Sequence, residues 1–276
     1  QQWRTMINAH SVVLVYASSH LNSPSSMYGH TLLRVDPPSF KEDKAVLLSW
    51  AVSFGANIPN NESSMLYAYR GIFGGYPGQF NVLPYLDKMK EYSRIENRDL
   101  WEYHLNLSPA EVNSLVTHLW ELKTVNFDYF FFDENCSYRL LALLDAASER
   151  IDVADDFSLK AMPIDTIRSL IDSGKVGSVE YRASSGVMLN QQQSQLSDKQ
   201  KQWAKKIVDN TDYITDEDFM QLSDFQRAQV LEVSISYLRY LVVKKKQRSL
   251  ENRKKSLALL SARSKISIQH VFRPIV

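Results

Sequence analysis

The sequence predicts an α+β fold, with strands near the amino terminus and only helices at the carboxyl terminus. Runs of β-branched and aromatic residues recur within the first 107 residues, as strands require. Capped, amphipathic helical patterns begin at residue 108, and residues 196–270 show helical periodicity alone. We therefore expect a larger α+β domain over residues 1–185 and an α-helical appendage over residues 196–270.

Composition excludes several functional classes. The chain has 276 residues, 44% of them hydrophobic and 23% charged, which is enough apolar material for a sizeable core. A net charge of +1 argues against a nucleic-acid partner. One cysteine and six histidines without HExxH spacing offer no zinc site, so we expect no cofactor. No apolar stretch reaches the ~20 residues of a membrane span.

Three strands are predicted first, at residues 11–16, 27–35 and 45–54, the last two as a hairpin. His30 stands near the start of the second strand, directly after Gly29. By itself it fits a strand histidine bonded to a neighbour better than a catalytic group. Ser49 and Ser53 lie four residues apart in the third strand, so a regular strand would point both to one face.

The middle of the chain predicts a mixture of elements. Residues 71–80 hold four glycines and predict a tight surface segment, such as one wall of a cleft. Residues 100–107 alternate as a half-buried strand, and a capping box at Ser108 opens a helix to about Lys123. A short helix should follow from Pro163, and the polar, glutamine-rich stretch 175–196 predicts an extended linker.

The appendage should contain helices near residues 197–209, 223–243 and 250–264. A dense basic patch, formed by residues 244–248 and 253–255, lies at a junction between two of them. A solvated helix junction explains the patch most simply. Contact with anionic lipid head groups is the functional alternative.

The most informative stretch is residues 129–141, which contains the only cysteine of the chain, Cys136. Four aromatic residues run into Asp133, Glu134 and Asn135, and helical apolar spacing begins after the cysteine. A thiol in the first turn of a helix faces unpaired N–H groups, which stabilise a nucleophilic thiolate. Taken alone, Cys136 fits a small buried hydrophobic residue better.

Nucleophilic catalysis would become possible if the fold placed His30 beside Cys136. A histidine within hydrogen-bond reach of a cysteine gives a nucleophile and a general acid or base. A third polar group usually orients such an imidazole, and N–H groups at the helix start can hold an acyl oxyanion.

Four segments, in this order, resemble the periplasmic domain of Lnb-type bacterial lipoprotein N-acyltransferases. They include Tyr28-Gly29-His30-Thr31, Gly71-Ile72-Phe73-Gly74-Gly75, Arg98-Asp99-Leu100-Trp101 and Asp133-Glu134-Asn135-Cys136. The resemblance covers about residues 10–270. The order of histidine and cysteine also resembles the circularly permuted papain-like, or NlpC-like, thiol enzymes, which include lecithin:retinol acyltransferase. A permuted papain-like domain would pack the cysteine-bearing helix on a small antiparallel sheet.

This resemblance implies a reaction and its residues. Cys136 would take an acyl chain from a phospholipid as a thioester, with His30 as general base. The acceptor would be the N-terminal amine of a bacterial lipoprotein, at the membrane surface of a Gram-negative periplasm. The orienting residue would come from the next strand, as Ser53 or Ser49. Asn135 and Tyr28 are candidates for oxyanion or substrate contact, or for local turn bonding.

Two other functions remain open from the sequence. A cysteine hydrolase, acting on cell-wall peptides or phospholipids, would use water to resolve the thioester. A non-catalytic, membrane-associated binding domain would bury Cys136 far from any histidine.

Overall fold

A computed structural model describes residues 2–20, 27–38, 47–59, 62–157, 160–246 and 249–274. Residues 45 and 46 of the predicted third strand, and residues 247 and 248 of the basic patch, lie outside the described residues. The chain divides into two compact units, residues 1–92 with 98–182 and residues 93–97 with 183–276. We call them the first and the second unit.

The first unit is built on one antiparallel sheet of seven strands in the order β6-β4-β3-β2-β1-β5-β7. The strands are β1 Ser11–Ala17, β2 His30–Asp36, β3 Trp50–Ala56, β4 Tyr76–Pro84, β5 Leu100–Leu105, β6 Phe127–Tyr129 and β7 Val176–Arg182. The α+β class predicted from the sequence is confirmed. The second and third strands pair as predicted, but they begin later, at His30 and Trp50.

The helices of the first unit are α1 Gln2–Ile7, α2 Ser64–Phe73, α3 Tyr85–Lys90, α4 Pro109–Leu122, α5 Cys136–Ala147 and α6 Pro163–Asp172. A π-helical turn, Glu91–Ile95, follows α3, and a 3₁₀ turn spans Asp155–Phe157. The predicted capping box of α4 is present, because Ser108 and Glu111 each bond the other's backbone N–H.

Helix α5 packs on β2 and β3 and sets the position of the cysteine. Its apolar side contributes Leu140, Leu141 and Leu144 to the main core. Strand β1 is buried on both faces, because Val12 and Leu14 enter this core while Val13 and Val15 enter a second core. The sheet with its cysteine-bearing helix agrees with the predicted architecture, and a permuted papain-like fold stays a prediction.

Two predicted irregular segments are wrong. Residues 71–80 are the end of α2 and most of β4, and the stretch 175–196 contains β7 and a helix, α7 Ser185–Ser194. Strand β7 lies at the edge of the sheet, and the serine- and glutamine-rich residues that led to the linker prediction lie in α7 and at its two ends. Ser184 caps α7 by accepting a bond from the Val187 N–H.

The second unit is helical. Besides α7 it contains α8 Asp198–Asp209, a 3₁₀ turn Thr211–Thr215, α9 Glu217–Met220, α10 Asp224–Lys244 and α11 Leu250–Ser264. Trp203, Ile207, Val230 and Leu259 lie in its core. Across the described ranges of the whole chain, every helix is too short or too polar to span a bilayer.

Candidate active site

Cys136 is the first residue of α5, and its neighbour Asn135 caps the helix. The Asn135 side-chain oxygen accepts hydrogen bonds from the N–H groups of Ser137 at 2.9 Å and Tyr138 at 3.3 Å. Such a cap stabilises a helix by about 1 kcal/mol. It also fixes the direction in which the first turn presents the thiol.

The side-chain amide nitrogen of Asn135 also forms hydrogen bonds within the fold. It donates to the Ala161 carbonyl at 2.7 Å and to the Phe131 carbonyl at 3.2 Å, and the residue is 5% exposed. Both amide hydrogens therefore have partners. Because both hydrogens already bond to backbone carbonyls, Asn135 has no side-chain donor left for an oxyanion. Its role is the local turn bonding that the sequence also allowed as the alternative.

His30 lies at the start of β2, within hydrogen-bond reach of the buried Cys136 thiol. Burial is the largest single influence and would raise the thiol pKa, but the charge and hydrogen bond of His30 act in the opposite direction. Together with hydrogen bonds from Thr31, they lower the pKa of Cys136 to about 6. The structure thus brings together two residues that the sequence separates by more than one hundred positions. The non-catalytic alternative, in which Cys136 lies far from any histidine, does not predict this arrangement.

Thr31 and Ser137 join the two elements that carry these residues. Their hydroxyl groups lie 3.0 Å apart in the buried contact between β2 and α5. The backbone and side chain of Thr31 also favour the thiolate and so contribute to the lowered pKa of Cys136. Neither residue was predicted from the sequence. Their positions, each directly after a candidate catalytic residue, were the only available signal.

An aromatic ring covers the imidazole on another side. The ring centroids of His30 and Tyr92 lie 5.9 Å apart, and Tyr92 is buried. The Arg98 guanidinium lies 5.1 Å from the Tyr92 centroid and donates to the carbonyls of Ala17 and Ser18. No pattern in the sequence pointed to Tyr92, because its contact with His30 depends on the chain path through α3.

Ser49 does not reach the site. It precedes β3 and donates to the Asp36 carboxylate at 2.5 Å, at the end of β2 opposite His30. The β2–β3 pairing runs from Val35–Trp50 to Leu33–Val52. Ser53 follows the last bridged pair, on the His30 side, and makes no hydrogen bond to His30 within the described ranges. Of the two serines, Ser53 alone stays a candidate for orienting His30.

Tyr28 lies at the rim of the site and not in its interior. It is 42% exposed, and its ring centroid lies 6.2 Å from that of Phe132, which is also exposed. The backbone between Tyr28 and His30 needs glycine, because Gly29 has φ +98° and an added Cβ would lie 2.3 Å from the Tyr16 ring. Tyr28 and Phe132 give the rim an apolar, aromatic character.

The aromatic run before the cysteine is seated on helix α2. The Phe131 N–H donates to the Gly71 carbonyl at 2.7 Å, and a Cβ on Gly71 would lie 2.2 Å from the Phe131 ring. Burial raises the pKa of the Tyr129 hydroxyl well above its usual value, and the Cys136 thiolate raises it further. Tyr129 therefore stays neutral beside the thiolate.

Two family models match the chain. The model described as the Lnb N-terminal periplasmic domain matches residues 1–173, and a domain of unknown function, DUF7842, matches residues 179–275. Neither the curated proteins nor the solved structures contain a match to the chain. The first match covers strands β1 to β6, α5 and every candidate residue described above, and it ends before β7.

Proposed function

The chain belongs to the Lnb N-terminal periplasmic domain family, and from this premise we propose that it is a thiol-dependent acyltransferase at a membrane surface. Family membership connects the chain to lipoproteins in the periplasm. The donor would be a phospholipid and the acceptor the N-terminal amine of a lipoprotein. The observation that carries the proposal is the contact of His30 with Cys136, which lowers the thiol pKa to about 6.

The first step acylates the enzyme. The Cys136 thiolate attacks the carbonyl carbon of a phospholipid ester, and a carbon–sulfur bond forms. The ester carbon–oxygen bond then breaks, and the departing lysophospholipid oxygen takes the proton of the His30 imidazolium. The products are a thioester on Cys136, a neutral His30 and a lysophospholipid.

The second step transfers the chain. A neutral amine attacks the thioester carbonyl and passes a proton to His30, while the carbon–sulfur bond breaks. An amide forms, and the thiolate–imidazolium pair returns. Both steps develop negative charge on the carbonyl oxygen, which needs a hydrogen-bond donor.

The Cys136 N–H suits that donor role. No hydrogen bond between described residues engages it, while the next two N–H groups of α5 bond to Asn135. It also lies at the positive end of the helix dipole. The surrounding rim, with Tyr28 and Phe132, suits an acyl chain better than the charged groove expected of a peptidase.

The test uses a phospholipid labelled in its acyl chain, with and without a diacylglyceryl-cysteine peptide. The wild type should transfer the label to the peptide amine, and Cys136→Ser should transfer none. A hydrolase would release labelled free fatty acid at an equal rate with or without the peptide. That result would replace the transferase proposal with the hydrolase alternative.

A further inference from the structure

Helix α2 presents an unusual surface beside the candidate site. Its only buried residue is Gly71. Met65 is 85% exposed, Tyr69 61% and Phe73 67%. Leu66 and Ile72 are exposed as well, and the five side chains together form what we call the α2 apolar face. A surface helix of a globular domain normally turns such residues inward, so an outward face of this kind marks an interaction site.

The α2 apolar face carries no free charge. Arg70 is the one ionisable group among residues 64–73 apart from tyrosine hydroxyls, and it forms an ion pair with Glu62 at 2.5 Å. Glu62 also accepts a hydrogen bond from the buried Tyr76 hydroxyl. The charge of Arg70 is thus paired with a buried carboxylate. An uncharged face with aromatic and aliphatic side chains matches the boundary between lipid head groups and acyl chains.

The inner side of α2 is fixed to the loop that leads into Cys136. Tyr67 contacts the Phe131 ring at a centroid distance of 5.1 Å, and the Gly71 carbonyl accepts the Phe131 N–H bond. Strand β3 ends and β4 begins at the end of the sheet where β2 starts with His30, and α2 connects them there. Whatever binds the outer side of α2 is therefore held next to the thiol.

We propose that the α2 apolar face docks on a lipid bilayer and inserts Tyr69, Phe73 and their neighbours at its interface. This inference rests on the proposed function for its purpose, which is to bring membrane phospholipid to Cys136. Its occupant is a lipid surface, because a charge-free face gives a protein partner no ion pair or charged hydrogen bond with which to gain specificity. The face spans about 15 Å of helix, enough for an interfacial anchor.

The first experiment measures flotation with phosphatidylcholine vesicles in the Cys136→Ser background, where no thioester can form. Replacing Met65, Tyr69 and Phe73 by serine should weaken vesicle binding by at least about tenfold. The matched control replaces Leu47, Leu48 and Leu83 by serine. These leucines are also exposed, but they lie by the start of β3 and the end of β4, away from His30. The control should bind as the parent protein does.

A second readout avoids large changes to the helix. The single cysteine allows a Cys136→Ser, Tyr69→Cys protein to be labelled with an environment-sensitive dye, and its emission should rise on vesicles. The same dye on Leu83→Cys should not respond. Equal vesicle binding by the α2 variant and its parent, or no response at position 69, would overturn the proposal. So would a dimer that the α2 substitutions dissociate, because a second copy would then occupy the face.

These outcomes are separate from those of the acyl-transfer assay. If the wild-type protein docks on vesicles but Cys136 gains no label, the acyltransferase proposal fails and the lipid-docking proposal stands. If Cys136 gains the label but the α2 substitutions do not change vesicle binding, the acyltransferase proposal stands and the lipid-docking proposal fails.

Discussion

The hydroxyl groups of Thr31 and Ser137 lie 3.0 Å apart, one residue beyond His30 on β2 and one beyond Cys136 on α5. This buried bond holds the strand and the helix in the register at which imidazole and thiol meet. It also leaves the Thr31 N–H and hydroxyl beside the sulfur. The fold thus supplies two kinds of support to the thiolate, a charge from His30 and hydrogen bonds from Thr31.

Replacing Thr31 by valine keeps the shape of the side chain and removes its hydroxyl. We expect a loss of about 1–2 kcal/mol in the free energy of unfolding, because the Ser137 hydroxyl stays buried without this partner. The thiol pKa should rise, since one hydrogen bond to the sulfur is lost. Urea unfolding and the pH profile of thiol alkylation measure the two effects.

The control for this change is a double-mutant cycle with Ser137→Ala. The double variant should lose less stability than the sum of the two single changes, because both hydroxyl partners are then absent. Strict additivity would contradict a direct bond between them.

The pH dependence of thiol reactivity should report the lowered pKa of Cys136. Alkylation of the folded protein should reach half its maximum near pH 6, where an ordinary thiol is almost wholly protonated. His30→Gln should move this midpoint above the ordinary thiol pKa, because burial then acts without the opposing charge. A midpoint that is the same in both proteins would mean that His30 does not activate the thiol.

The same shift has a consequence for stability. The folded state releases a proton that the unfolded thiol keeps. The stabilisation is therefore complete above the ordinary thiol pKa of 9.0 and is lost as pH falls through about 6. The difference in unfolding free energy between wild type and Cys136→Ala should accordingly grow from pH 6 to pH 9. A flat difference over that range would contradict a lowered pKa.

Local sequence signals predicted much of this site, and long-range packing decided the rest. The start of α5 at Cys136 and the strand position of His30 follow from apolar spacing and β-branched runs. The sequence alone could not exclude Ser49 from the site. In the structure β3 begins one residue after Ser49, whose hydroxyl donates to Asp36 instead. The α2 helix was missed because the glycines of residues 71–80 predicted a tight surface segment, although the apolar residues before them have helical spacing.

Gly71 should tolerate no side chain. Gly71→Ala places a Cβ 2.2 Å from the Phe131 ring, so the aromatic loop before Cys136 must shift. We expect a loss of about 1–3 kcal/mol in unfolding free energy, together with slower thiol alkylation. Gly55→Ala is the matched control, since an added Cβ there meets nothing within 4 Å. Equal behaviour of the two variants in urea unfolding would contradict the seating of Phe131 on α2.

Glu102 supports the sheet at a distance from the thiol. It is fully buried, accepts a bond from Tyr85 at 2.7 Å, and pairs with Arg34 and Arg182. Glu102→Gln should cost about 3–5 kcal/mol, because Arg182 loses its counter-charge and the buried Arg34 keeps only Asp36. Burial would raise its pKa, but the two arginines lower it. This stabilisation is therefore present above the usual carboxyl pKa and is lost in acid.

Glu180→Gln is the control for this change. Glu180 also pairs across β5 and β7, with His104 at 3.1 Å, but its side chain is 42% exposed and its removal should change stability by less than about 1 kcal/mol. In both variants the alkylation midpoint of Cys136 should stay near pH 6 wherever the protein is folded. A shifted midpoint in Glu102→Gln would mean that the buried pairs act on the site itself.

The most direct test of the acyl-enzyme is intact-mass analysis after incubation with phospholipid vesicles. The wild type should gain the mass of one acyl chain, on Cys136, and neutral hydroxylamine should release it as it releases thioesters. His30→Gln should gain the adduct far more slowly, and Cys136→Ala not at all. Wild-type protein that binds the vesicles yet never carries a hydroxylamine-sensitive acyl group on Cys136 would contradict the account.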